Sequence, residues 1–201
     1  MRRTVLACIS AFCTSATLTN PAAAGTRVEV RTQSYDISGE TGRALLEAMD
    51  RKGPKHGFTA RAIAQTSYTV DWQFTTAQND GGCRMKGVSG KLNLTYTYPR
   101  VVSPLAPALR KRWSRFFAGV RAHEQDHGRM AKEMVNKAAR AASAVKIAND
   151  PLCTRVKREA KRRIDAIYAA YEARQIAFDL REHRKGGHVE ALVVRLVSSG
   201  I

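Results

Sequence analysis

Residues 109–134 read LRKRWSRFFAGVRAHEQDHGRMAKEM, and the phase of that stretch decides the architecture. Leu109, Trp113, Phe116, Val120, His123, His127, Met130 and Met134 succeed one another at intervals of three or four. Such spacing makes the apolar stripe of an amphipathic helix, and both histidines lie in it. Side chains four apart on a helix stand one above the other, so His123 and His127 can grip a single ion from one face. With Glu124 they spell H-E-x-x-H. That set predicts zinc on the two imidazoles and a catalytic carboxylate, Glu124, taking a proton from a water that the ion acidifies to a pKa of about 7. A buried histidine pair can also be plain core, hydrogen-bonded within the fold; the glutamate between them favours the metal. Gly128 costs a helix about 1 kcal/mol, which points to close approach by another backbone or by a substrate.

Outward from this stretch, Ser103-Pro104 offers a helix start, and the helical pattern runs to about Ala148. Asn149-Asp150-Pro151 breaks it and caps a second helix, which carries Leu152, Val156, Ala160, Ile164, Ile167 and Tyr171 at helical spacing and stops by Gly186-Gly187. Two long helices joined by so short a turn pack antiparallel. Upstream, Val28 and Val30 alternate within Arg27 to Arg31, and Tyr35-Asp36-Ile37-Ser38-Gly39 closes that strand with a turn. Ala44, Leu45, Ala48 and Met49 predict a short helix stopped by Gly53-Pro54. Residues 60–74 and 84–98 alternate as strands around Asn79-Asp80-Gly81-Gly82, a strong hairpin turn. The β-prone tail from Val189 to Val197 is expected to join the sheet. The expected fold is α+β: a small antiparallel sheet in 25–100, a long antiparallel helical hairpin in 101–187 and a tail in 188–201, all one domain.

A catalytic zinc has three protein ligands and an open position. If the chain reverses near residue 150, position 125 lies opposite about 175, and at about 1.5 Å rise per residue Glu172 and Asp179 fall within about two turns of that point. His183 lies about 12 Å along the axis, but zinc's taste for nitrogen and the glycines just beyond keep it in view. Simple geometry therefore favours Asp179 or Glu172. His56 and His188 sit in basic, loop-like surroundings and read as solvated.

Residues 1–24 look like a secretory signal: Arg2 and Arg3, an apolar Val5 to Phe12, and Ala22-Ala23-Ala24 before Gly25. The apolar run is too short for a comfortable membrane span, and no other stretch is long and apolar enough for one. The expected location is therefore periplasmic or secreted, with no transmembrane segment in the mature chain. Removal of the leader takes Cys8 and Cys13 and leaves Cys83 and Cys153, whose one pairing in an oxidising compartment is a disulfide. The net charge is +17. It is spread over Arg110-Lys111-Arg112, Arg155 to Arg163 and Arg181 to Lys185, with no DNA-binding pattern, so it reads as solvated helix faces attracted to anionic envelope polymers rather than as a specific nucleic-acid site.

Several pieces together resemble a bacterial family of predicted secreted zinc-dependent proteases, long catalogued as a domain of unknown function. They are Tyr35-Asp36-Ile37-Ser38-Gly39, Trp72, Gly82-Cys83, Trp113 with Phe116, His123-Glu124-x-x-His127, Cys153 and a closing segment, spread from about Val28 to Gly187. The family closes on Y-D-x-x-T-x-H-G; here Asp179 and His183 match, while Phe178, Glu182 and Arg184 depart. The resemblance implies a metal role for that segment, with His183 as third ligand and Asp179 as its support or substitute, and it implies the Cys83–Cys153 disulfide.

The function expected is an exported zinc-dependent hydrolase acting on a protein or peptide: a metallopeptidase with His123, His127 and His183 on Zn²⁺ and Glu124 activating water. Its rival is a non-catalytic envelope protein, binding metal structurally or serving as an adaptor on the same scaffold. A third reading, a binder of nucleic acid or another anionic polymer, predicts strongly salt-dependent binding that ignores His123→Ala.

Overall fold

Alternation of apolar and polar residues builds the two longest strands, β4 (Gln65–Asn79) and β5 (Gly82–Val101), which pair antiparallel from Gln65↔Thr97 to Asn79↔Gly82. The turn between them has φ of 42° at Asp80 and 75° at Gly81, the doubly left-handed bend that suits the twist of a tight hairpin. These elements come from a computed structural model, in which residues 25–56 and 60–198 are described. The expected leader lies outside the described residues, as does the side chain of His56.

In chain order the remaining elements are β1 (Thr26–Ile37), α1 (Gly42–Lys52), β2 (Lys55–His56), β3 (Ala60–Arg61), α2 (Pro107–Ser143), β6 (Lys146–Ile147), α3 (Thr154–His183) and α4 (His188–Val197). The main sheet runs β1-β5-β4, with β6 also on β5, and β2 and β3 form a separate pair. The sheet is mixed, not purely antiparallel as expected. β1 lies parallel to β5, from Thr26↔Gly90 to Ile37↔Val101. A parallel pair needs a crossover rather than a hairpin, and α1 with the β2–β3 pair lies in the connection that carries the chain round.

One face of the sheet is covered by helices. Leu92, Leu94, Tyr96 and Tyr98 of β5 are buried in one core with Phe116, Val120, Met130 and Met134 of α2. Each large side chain so buried contributes about 1.5–3 kcal/mol. A second cluster joins Cys83, Met85 and Val88 to Ala138, Ala142, Val156 and Ile164, and there the Cys83–Cys153 disulfide ties β5 to the start of α3. α2 and α3 pack antiparallel: Arg174 pairs with Glu133 at 2.8 Å, and Arg163 Nη1 donates to the Ala141 carbonyl at 3.2 Å.

Three boundaries depart from expectation. Ser103 does not cap α2: its hydroxyl accepts from Gly39 N and lies 3.3 Å from Gly39 O, tying the ends of β1 and β5 together, and α2 begins at Pro107. α2 ends at Ser143 rather than near Ala148, because Lys146 and Ile147 pair with Arg84 and Cys83. The tail is a helix, not a strand. Val189, Leu192 and Leu196 recur at helical intervals and bury one face of α4, whose local β propensity is overridden by that packing. Gly119 of α2 makes room for it, since a Cβ there would stand 2.4 Å from Leu192. Among the described residues, no helix is long and apolar enough to cross a membrane.

Candidate metal centre

The stripe on α2 buries His123 and leaves His127 half-buried, with Glu124 also buried at 6% exposure. Antiparallel packing then sets the C-terminal third of α3 against them. Nε2 of His123 and Nε2 of His127 stand 3.1 Å apart. Asp179 Oδ1 lies 2.8 Å from the second and 3.3 Å from the first. Donors on a tetrahedral zinc, at about 2.0–2.2 Å from the ion, are separated from one another by about 3.3–3.6 Å. The three separations, 2.8 to 3.3 Å, lie at or below that edge length, so the donors are close enough to share an ion once they part slightly. Asp179 Oδ1 is also buried without a well-aligned hydrogen bond, despite its two imidazole neighbours. Two nitrogens and a carboxylate oxygen gathered on one point suit a cation.

His183 approaches from the exposed side, its ring centroid 5.3 Å from that of His123. His123, Asp179 and His183 each offer a ligand atom within 4.8 Å of the others. Of the three expected third ligands, Asp179 lies within 3.3 Å of both α2 imidazoles, and His183 joins His123 and Asp179 in one group. His127, which contacts His123 and Asp179, is not in this group of three, nor is Glu172, which lines the cleft; His188 is exposed at the start of α4. Phe178, where the resembled motif has tyrosine, stacks on His123 at 4.9 Å and meets His127 edge-on at 5.1 Å, so an apolar ring walls the cluster.

Charges respond to this crowding. Burial pushes the Glu124 carboxyl up, and the hydrogen bond from Thr66 and the neighbouring histidines only partly offset it. Burial also works to raise Asp179, but the imidazoles beside it prevail and hold it well below the usual carboxylate range. Burial disfavours charging His127, yet Asp179 and then Gln175 leave its pKa raised. His183 is lowered, by burial first and then by His123.

The cluster opens into a cleft of about 1020 Å³. Its walls include Ile63 to Tyr68 on one side and Tyr171, Leu180 and Val189 on the other. β4 is the terminal strand of the sheet, so the cleft runs along a sheet edge.

A family described as "Bacterial protein of unknown function (DUF922)" matches residues 32–187. The chain belongs to the DUF922 family. That range nearly coincides with the Val28 to Gly187 span of the sequence resemblance. No curated protein and no solved structure matches the chain. Two residues of this site carry no mark in the sequence analysis. Thr66 Oγ1 reaches Glu124 Oε2 at 2.6 Å and the Glu124 carbonyl at 3.0 Å, from a strand distant in sequence. Gln175 Oε1 contacts His127 Nδ1 from α3. A signal for Gln175 existed, since it stands four residues before Asp179 as His123 stands four before His127. Thr66 left none.

Proposed function

We propose that this protein is an exported zinc-dependent hydrolase, a metallopeptidase, with His123, His127 and Asp179 holding the ion and His183 beside them on the exposed side. The observation that carries this reading is the convergence of those donors next to a buried Glu124 at the wall of an open cleft. Zinc, when bound, supplies an electrophile for a carbonyl oxygen and acidifies water. The chain's own residues supply the rest. Thr66 fixes Glu124 through Oε2 and leaves Oε1 to take up a proton, and the raised pKa makes that carboxylate a better base near neutrality than a solvated one. Phe178 excludes water from one side of the histidines. The edge of β4 beside the cleft offers backbone groups to an extended chain, which favours a peptide over a small ester or amide.

Two overlapping trios, His123 and Asp179 with either His127 or His183, leave room for the rival reading too, because a fourth donor would close the site as structural zinc requires whereas catalytic zinc keeps a position open. Hydrolysis separates the two. The purified protein should cleave an unfolded protein substrate, and Glu124→Gln should keep its zinc while losing activity by about 100-fold or more. Undiminished cleavage by the variant sinks the role given to Glu124. Zinc without hydrolysis across a broad peptide panel favours the structural site.

A further inference from the structure

The cleft is not uniform in character along its length. Thr66, bonded to Glu124, lies beside the histidines, and Tyr68 stands two residues farther along β4, about 7 Å on and on the same face of the strand. The Tyr68 ring meets that of Tyr171 edge-on, with centroids 5.6 Å apart. Both rings line the cleft, and so does Glu172, the next residue of α3. Both phenols have raised pKa values, from burial first and then from neighbours that include Glu172, so the carboxylate is within electrostatic reach of each ring. Glu172 is exposed, and among the described residues no cation pairs with it; Arg174, the nearest in sequence, is held by Glu133 at 2.8 Å. In a chain with 34 Lys and Arg against 17 Asp and Glu, a carboxylate left unpaired in a cleft is available to a ligand. Elsewhere the cleft carries Arg61, Arg184 and Asp50, which give it no single sign.

We propose that Tyr68, Tyr171 and Glu172 form a subsite for a lysine or arginine side chain of the substrate, about two residues from the bond that is cut. An aromatic ring packs against the alkyl stem of such a side chain and attracts its charged head, which here reaches a free carboxylate. An apolar side chain would fill the aromatic corner but give Glu172 nothing, and an acidic one would be repelled. The position follows from strand spacing: a chain laid along β4 advances about 3.3 Å per residue, so the step from Thr66 to Tyr68 spans two residues. That distance from the cut rests on the peptidase reading above, whereas the preference for a cation does not.

Binding reads the preference without catalysis. Fluorescence anisotropy of the metal-free protein with short fluorescein-labelled peptides, alike but for a central lysine, norleucine or glutamate, should show lysine bound about tenfold more tightly than norleucine, and glutamate most weakly. The net charge of +17 favours the glutamate peptide, so that order cannot come from the field of the whole molecule. Glu172→Gln should bring lysine and norleucine within about twofold, and Glu172→Lys should favour glutamate. Asp165→Asn, which removes an exposed carboxylate of α3 outside the cleft, should keep the order of the parent. Cleavage of an unfolded protein by the zinc-loaded parent should place lysine or arginine about two residues to one side of the cut. A metal-free parent that binds lysine no better than norleucine overturns the subsite, and so does a Glu172→Gln variant that keeps the full preference. A parent that prefers lysine yet cleaves nothing overturns the peptidase reading and leaves the subsite in place.

Discussion

Gly128, one residue past the motif, is where a side chain of the sheet presses on α2. A Cβ there would stand 1.9 Å from Tyr96 Oη and 2.8 Å from its Cζ, with Leu94 at 3.0 Å. Tyr96 is buried and stacked on Tyr98, so it has little room to retreat. Gly128→Ala should gain about 1 kcal/mol of helix propensity and lose about 1–3 kcal/mol to overpacking. The net expectation is a lower urea midpoint, partly restored when Tyr96→Phe removes the hydroxyl; an unchanged or higher midpoint for Gly128→Ala alone would contradict this packing. The close approach at Gly128 was legible in the sequence, though its source is a side chain rather than a backbone or a substrate. His123, Glu124 and His127 were legible because helical phase places them without any tertiary knowledge. Thr66 was not, since its contact with Glu124 depends on how β4 sits against α2.

At the scale of elements, α3 begins in a turn that Asp150 organises. Its carboxylate accepts from Val156 N at 2.8 Å and Arg155 N at 3.2 Å, after Cys153 turns the chain through φ 56°. Burial pushes this carboxyl up, but the backbone N–H groups outweigh it and its pKa is lowered. A folded-state pKa below the unfolded one gives stability that is present above the ordinary carboxylate range and lost as pH falls through the folded value. The parent should therefore lose more stability than Asp150→Asn between pH 7 and pH 3 in parallel urea titrations; equal losses would contradict the capping role. This cap was readable from Asn149-Asp150-Pro151. The tail is a helix although Val193, Val194 and Val197 favour strands locally, because Leu192 packs against α2 and Leu196 against α1 at a helical interval. The parallel partnership of β1 left no local mark, since it depends on the route of the intervening chain.

Across the whole molecule, the β-rich half and the helical half share their buried core, and the disulfide and the Thr66–Glu124 hydrogen bond tie them further. Cys83–Cys153 fastens one end of the α3 packing, and Asp179 with Gln175 faces α2 near the other. The cleft exists because α3 and β4 stand on either side of α2's histidines, so neither half makes it alone. Basic residues remain on the outer faces of the helices, where Arg162 and Arg163 share Glu159, which agrees with reading the charge as solvated surface. Zinc content of the protein purified without an affinity histidine tag, before and after reconstitution, tests the metal centre. About one zinc per chain is expected, lost in His123→Ala and in Asp179→Asn, with His183→Ala weakened less than either. A folded parent that holds no zinc and takes up none on reconstitution would contradict it.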